Sequence, residues 1–199
     1  KLLQSKSYGE MTSMIITAGN MGLAMNGTHY FEAFRYLTNE IPDKIWASFD
    51  SSNLANPRGI EFQDKSGRIN VVTRSGKRLF LDASADQGHG VQVTYMARNG
   101  RITVDELTGE MSTVVRKEEH RDVPTTRYGM PADKKHEIIP AVELFQSTKA
   151  VLQSLLSGKN YPTIADGTYA IKTLVAAYHS DRLGSRIVSL DSIPDNDKE

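Results

Sequence analysis

His29 stands where a run of apolar residues takes up helical spacing, in Asn26-Gly27-Thr28-His29-Tyr30-Phe31-Glu32. An imidazole titrates near neutral pH, so a histidine at such a place can both take up a proton and return it. Glu32 follows three residues later, one helical turn on. There a carboxylate either orients the ring or serves the first turn of the helix through its dipole. Arginines suit the phosphate or carboxylate groups of a charged substrate. Arg58, in Asn56-Pro57-Arg58-Gly59, and Arg127, beside Tyr128 in a charged stretch, are the candidates for such contacts. Asp86-Gln87-Gly88-His89-Gly90 reads instead as a strand connection, with His89 structural.

The composition narrows the chemistry. The chain has 199 residues, 24 basic and 24 acidic, and no cysteine. Disulfides, thiolate metal sites and a cysteine nucleophile are therefore excluded. The five histidines are scattered without metal-ligand spacing, so no metal site is expected. Balanced charge argues against nucleic acid as a partner. No apolar run approaches the ~20 residues of a membrane span, so no membrane partner is expected. A cysteine-free chain fits a reducing, cytoplasmic setting.

The elements that must carry these residues follow from periodicity. Residues 1–8 read as the tail of a helix, and 10–18 as a strand rich in β-branched types. A loop marked by Gly19, Gly22 and Gly27 leads to a helix over 28–39, with Thr28 as its cap and the stripe Tyr30, Phe34, Leu37. From 43 to 117 the period is two, with turns at Ser66-Gly67, Ser75-Gly76 and Asn99-Gly100. A two-residue turn at Asn99-Gly100 pairs Ala97 with Ile102 and Tyr95 with Val104. Residues 118–137 read as a charged excursion over the surface. Helices follow over 139–157, with Pro140 in the first turn, and from an Asp166 cap to about 180. The fold class expected is α+β: a large, mostly antiparallel sheet with helices on one face. One domain is expected over 1–190, with a polar tail over 191–199.

Two segments carry a resemblance. One is Asn26-Gly27-Thr28-His29-Tyr30-Phe31-Glu32 with Arg35-Tyr36-Leu37. The other is Thr163-Ile164-Ala165-Asp166-Gly167 with Ala170, Ala176-Ala177, Ser180, Gly184 and Val188. Together, over nearly the whole chain, they resemble the C-terminal domain of the glucose–fructose oxidoreductase / inositol dehydrogenase / rhizopine catabolism (Gfo/Idh/MocA) family. Members join an N-terminal Rossmann domain, which binds NAD or NADP, to a C-terminal α+β domain that walls the substrate. This chain has no Gly-x-Gly-x-x-Gly turn and no Glu-Lys-Pro segment, so the Rossmann domain is expected to be absent from it. The Lys1 start agrees with a segment of a longer protein.

The resemblance implies a dehydrogenase acting on a sugar, cyclitol or nucleotide sugar when the whole protein is present, and an inactive fragment alone. His29 takes the family's catalytic position. Met25 falls where many members carry an assisting acid, and Glu32 where they carry Asp. Met25, Asn26, Glu32, Arg58, Arg127 and Tyr128 are the expected substrate contacts, with Asn26 placed to meet a substrate hydroxyl. NAD or NADP would be bound mainly by the missing domain, and no cofactor-binding residue is assigned here. The resemblance also implies a homo-oligomer joined through the open sheet face, where the alternation leaves Asn70, Val72, Gln92, Thr94, Met96 and Thr103. The alternative is a non-enzymatic carbohydrate- or protein-binding module on the same fold.

Overall fold

The computed structural model describes residues 2–19, 21–54, 59, 61, 63–84, 86–126, 128–159, 161 and 163–194. Nine strands form one sheet: β1 (Met11–Thr17), β2 (Pro42–Leu54), β3 (Asp64–Thr73), β4 (Arg78–Ala83), β5 (Gln92–Ala97), β6 (Gly100–Asp105), β7 (Glu110–Arg116), β8 (Ala132–Ile138) and β9 (Val188–Ser189). Their order is β8-β7-β6-β5-β1-β4-β3-β2-β9. Every pair is antiparallel except β1–β4. The described residues also form three α-helices: α1 (Thr28–Thr38), α2 (Leu144–Ser157) and α3 (Ile164–Arg182). The architecture is the expected α+β.

One face of the sheet is buried beneath α1 and α3. Met14 and Ile16 of β1, Ile45 of β2, Ile69 of β3 and Leu79 of β4 meet Phe31 and Phe34 of α1 in a single cluster. The helix α3 presents small side chains to it, with Ala176 and Ala177 fully buried, which lets the helix approach the sheet closely. Its C-terminal end also completes the hydrogen bonding of β2. The short strand β9 pairs only with Lys44 and Ile45 of β2. Beyond it, the Ala47 amide donates to Ser180 Oγ at 2.9 Å and the Phe49 amide to Asp181 Oδ1 at 2.8 Å. Side chains of α3 thus take over where the edge strand stops, leaving neither buried amide unpaired. The core runs on to Leu190 and Ile193.

Several expectations need correction. Residues 2–4 form only a 3-10 turn. A π-helical turn over Leu23–Gly27 precedes α1, so the helical run starts five residues before Thr28, which caps nothing. Ser66-Gly67 lies inside β3, where Gly67 pairs with Phe49 and Ala83. A Cβ at Gly67 would lie 2.4 Å from the Ser48 carbonyl oxygen. The turn between β5 and β6 falls on Arg98-Asn99, so Tyr95 faces Ile102 and Ala97 faces Gly100. The Arg98 and Asn99 amides donate to the carbonyls of Glu10 and Tyr8, which holds the turn there. Gly100 is a strand residue because a Cβ would meet the Val114 carbonyl oxygen at 2.2 Å. Residues 132–138 of the expected excursion form the edge strand β8. The helix α2 begins at Leu144, after Pro140. Thr163, not Asp166, caps α3; Asp166 closes the capping box from three residues inside.

The sheet is tied below α1 by a partly exposed ionic cluster. Lys77 Nζ lies 2.7 Å from Glu40 Oε1 and 2.9 Å from Glu10 Oε1, while Ser75 Oγ donates to Glu40. Burial disfavours the Glu40 charge. The hydrogen bonds from Lys77, Thr73 and Ser75, with the charge of Lys77, outweigh it and hold the carboxyl at about 2, against a usual 4.5. A depressed carboxyl contributes stability above its unfolded value and loses it as the pH falls through the folded one. Urea unfolding across a pH series should therefore show stability falling between pH 4.5 and about pH 2, and Glu40→Gln should flatten that fall. Equal slopes for both proteins would contradict the assignment.

Candidate active site

The antiparallel and parallel pairings decide which loops share an end of the sheet. The chain leaves β1 at Thr17, beside Asp82 of β4 and Gln92 of β5. The β1–α1 loop, the β2–β3 connection, the β4–β5 loop and the β6–β7 turn therefore emerge together. His29 sits at this end, exposed, in the first turn of α1.

A carboxylate from another strand builds the turn ahead of His29. Asp64, at the start of β3 and 4% exposed, accepts from the amides of Ala24 at 2.9 Å and Met25 at 3.0 Å. Helix starts leave such amides without partners, and a negative charge suits them. Gly22, at φ 74°, passes so close that a Cβ would lie 2.5 Å from Asp64 Oδ2. Asn26 Nδ2 donates to the Met21 carbonyl, which closes the turn from the other side. The loop is held from outside as well: the Gly19 amide donates to the His89 carbonyl, and the Ala18 amide to that of Asp82.

The expected contacts separate. Met25 and Asn26 are half-buried in the π-helical turn, with the Asn26 amide group engaged as described. Glu32 turns to Arg35, whose Nε and Nη2 donate to it at 2.7 Å each. Arg35 also reaches Asp166 at 2.8 Å, joining α1 to the start of α3. Hydrogen bonds from the Thr163 backbone and hydroxyl hold the Asp166 carboxyl below its usual range. Tyr128, 82% exposed, precedes β8, whose first residue pairs with Arg116 at the opposite end of the sheet from His29. Arg58 and Arg127 lie outside the described residues.

Other side chains meet at this end of the sheet. Tyr30, beside it in sequence, donates to Glu106 Oε2 at 2.6 Å. Burial, followed by the Glu106 hydrogen bond and charge, pushes the Tyr30 hydroxyl well above the ordinary phenol value. In the β4–β5 loop, Asp82 Oδ1 accepts from Gln87 Nε2 and Ser84 Oγ, and Gln87 Oε1 lies 3.0 Å from His89 Nε2. Asp64 and Glu106 escaped the sequence reading because nothing local marks a residue that acts across 40 or 76 positions. The one usable signal was Asp86–Gly90, a polar glycine-rich stretch.

The strand–glycine loop–helix at β1 and α1 has the outline of a phosphate cradle. Two of its amides, those of Ala24 and Met25, are already taken by the Asp64 carboxylate. No group of three or more His, Asp or Glu among the described residues could hold a metal ion. No described helix is long and apolar enough to cross a membrane.

Solved structures share this architecture. An NAD-binding oxidoreductase from Klebsiella pneumoniae superposes with a TM-score of 0.67 at 17% identity, over 92% of this chain and 60% of that one. The fold is that of the C-terminal α+β domain of Gfo/Idh/MocA-type NAD-binding oxidoreductases. An aldose–aldose oxidoreductase from Caulobacter crescentus, complexed with glycerol, gives 0.63 at 18% identity, over 94% of this chain and 58% of that one. Gal80p of Kluyveromyces lactis, a transcriptional regulator, gives 0.66 at 11% identity, over 96% and 58%. The chain thus spans about three fifths of the length of these proteins. No family model matches it, and no curated protein matches it in sequence.

Replacing Asp64 by alanine would leave two amides of the turn without their acceptor. The unfolding free energy should fall by about 1–3 kcal/mol, and hydrogen exchange at Ala24 and Met25 should quicken. Unchanged exchange would show that the carboxylate does not hold the turn.

Proposed function

We propose that this chain is the substrate-binding and oligomerisation domain of an NAD(P)-dependent oxidoreductase. Its substrate would be a sugar, cyclitol or nucleotide sugar, and the chain alone would not turn over. The observation that carries this reading is the oxidoreductase fold across more than nine tenths of the chain, with His29 at the end of the sheet where the loops gather. NAD or NADP would be held mainly by chain outside these residues, since the helix start that could take a phosphate is filled by Asp64.

Oxidising a hydroxyl carbon requires the hydroxyl proton to leave. His29 would accept it; its exposed side chain and the Asp64-held turn ahead of it support that role. Glu32, engaged with Arg35, would steady the same helix rather than touch substrate. Met25 and Asn26 would line the approach to His29, and Arg58 and Arg127 would contact charged groups of the substrate. Tyr128, at the far end of the sheet, would serve a substrate only from a neighbouring copy. The uncovered sheet face, with Asn70, Val72, Thr94, Met96 and Thr103 half-buried, has the semi-polar character of a homo-oligomer interface. The absence of cysteine supports a cytoplasmic setting.

A second reading is a non-enzymatic binding module. Two observations favour it: a thioether at Met25 cannot relay a proton, and a transcriptional regulator shares the fold over 96% of this chain.

The two readings part on one substitution. In the longer protein carrying a dinucleotide-binding domain, His29→Ala should lower turnover by ~10²-fold or more, with substrate affinity less affected. Turnover that survives the substitution would remove His29 from the mechanism and favour the module.

A further inference from the structure

The sheet face turned away from α1 and α3 carries its charges in rows. Cross-strand partners share a face. The register therefore lays three rows over eight strands, from β2 at one side to β8 at the other. The first row holds Lys44 of β2, Arg78 of β4, Arg101 of β6 and Lys134 of β8, and no acid. All four are exposed, and none forms an ion pair among the described residues. Four residues away on each strand, the third row holds Asp82 of β4, Asp105 of β6 and Glu110 of β7, with Arg68 of β3 as its one cation. The middle row carries Ile15, Trp46 and Phe80 and no Lys, Arg, Asp or Glu. Ile15 and Trp46 are half-buried and Phe80 is exposed. A cationic, an apolar and an acidic row thus run side by side, the outer two about 13 Å apart.

We propose that two copies of this chain pack through this face about a two-fold axis that runs across the strands, so that the cationic row of each copy lies over the acidic row of the other. This rests on the homo-oligomer reading of the same face given above and fixes its geometry. Packed sheets keep their strand directions within about 30° of each other, which leaves two choices for an axis lying between them. An axis along the strands sets each row against its own copy, four cations against four, and like charges so placed oppose association. An axis across the strands reverses the partner. Each strand then lies over the same strand of the partner, with its first row over the third. Arg78 meets the partner's Asp82 and Arg101 meets the partner's Asp105, each pair occurring twice in the closed dimer. Arg68 meets the uncharged Val72 of the partner subunit. The middle row meets itself, and Ile15, Trp46 and Phe80 lose their solvent against their counterparts. The face offers three residues on each of eight strands, 24 in all, within the roughly 20–30 that a stable interface takes from each side. The rows match their own reverse, which favours a second copy over any other chain as the occupant.

The absence of cysteine lets single thiols report the geometry. On β5, near the middle of the sheet, Met96, Thr94 and Gln92 belong to the first, middle and third rows. Sedimentation of the unmodified chain at tens of micromolar should give twice the 22.1 kDa protomer. With a short bismaleimide, Thr94→Cys should link to itself. Met96→Cys and Gln92→Cys, mixed and left to exchange, should link to each other in excess of either self-linked product. Arg78→Glu with Arg101→Glu sets like charges over Asp82 and Asp105, and should raise the dimer dissociation constant ~10²-fold or more. The far-ultraviolet spectrum should not change, because neither arginine has an ionic partner in its own chain. Added salt should weaken the unmodified dimer in the same direction. Met96→Cys linking mainly to itself, or a dimer indifferent to both salt and the two reversals, would overturn the axis and leave the sheet-face oligomer standing. A monomeric unmodified chain would overturn both.

Discussion

The Asp64 carboxylate, buried against the amides of Ala24 and Met25, decides what this domain can and cannot do. A glycine loop running from a strand into a helix start offers exposed N–H groups and a favourable dipole, the usual means of holding a phosphate. Here the protein spends that potential internally. The carboxylate stabilises an otherwise irregular π-helical turn and so sets where α1 begins and where His29 stands. The same contact removes the helix start from competition for an external anion. One interaction therefore sets the start of the helix that carries His29 and occupies two amides that could otherwise meet an anion.

The sheet distributes the remaining roles by its ends and halves. At the end bearing His29, the β4–β5 loop holds the Gly19 and Ala18 amides and Glu106 holds Tyr30. At the other end, the Lys77 cluster and the Arg98-Asn99 turn tie the strands to the entering chain. The half from β1 to β2 carries the main core, while the half from β5 to β8 keeps an apolar groove. The apolar core is thus spatially separate from the loops offered for chemistry, which is common where function sits on loops above a rigid scaffold.

Much of this was legible in the sequence where local pattern and tertiary structure agree. Alternation marked β4, β5, β6 and β7, helical spacing marked α1 and α3, and Asn39 in the left-handed region (φ 53°) ends α1 as expected. The failures have a common cause in long-range contacts. The Asn99-Gly100 pair carries a strong turn signal, but the Val114 carbonyl requires a glycine at 100 and the Tyr8 and Glu10 carbonyls hold the turn one residue earlier. The segment Ala132–Ile138 looks like a surface excursion because an edge strand exposed on both sides can be charged throughout. The Asp64 contact is invisible locally, since its partners are 39 and 40 residues away and offer only backbone amides. Tyr128 stands at the opposite end of the sheet from His29 because strand order, not motif order, decides which loops meet.

Central to the proposed function is that the dinucleotide is held by chain outside these residues. Calorimetric titration of the 199-residue chain with NADH and NADPH tests it directly. The account predicts no binding heat at millimolar nucleotide. Saturable binding in the micromolar range to the chain alone would contradict it.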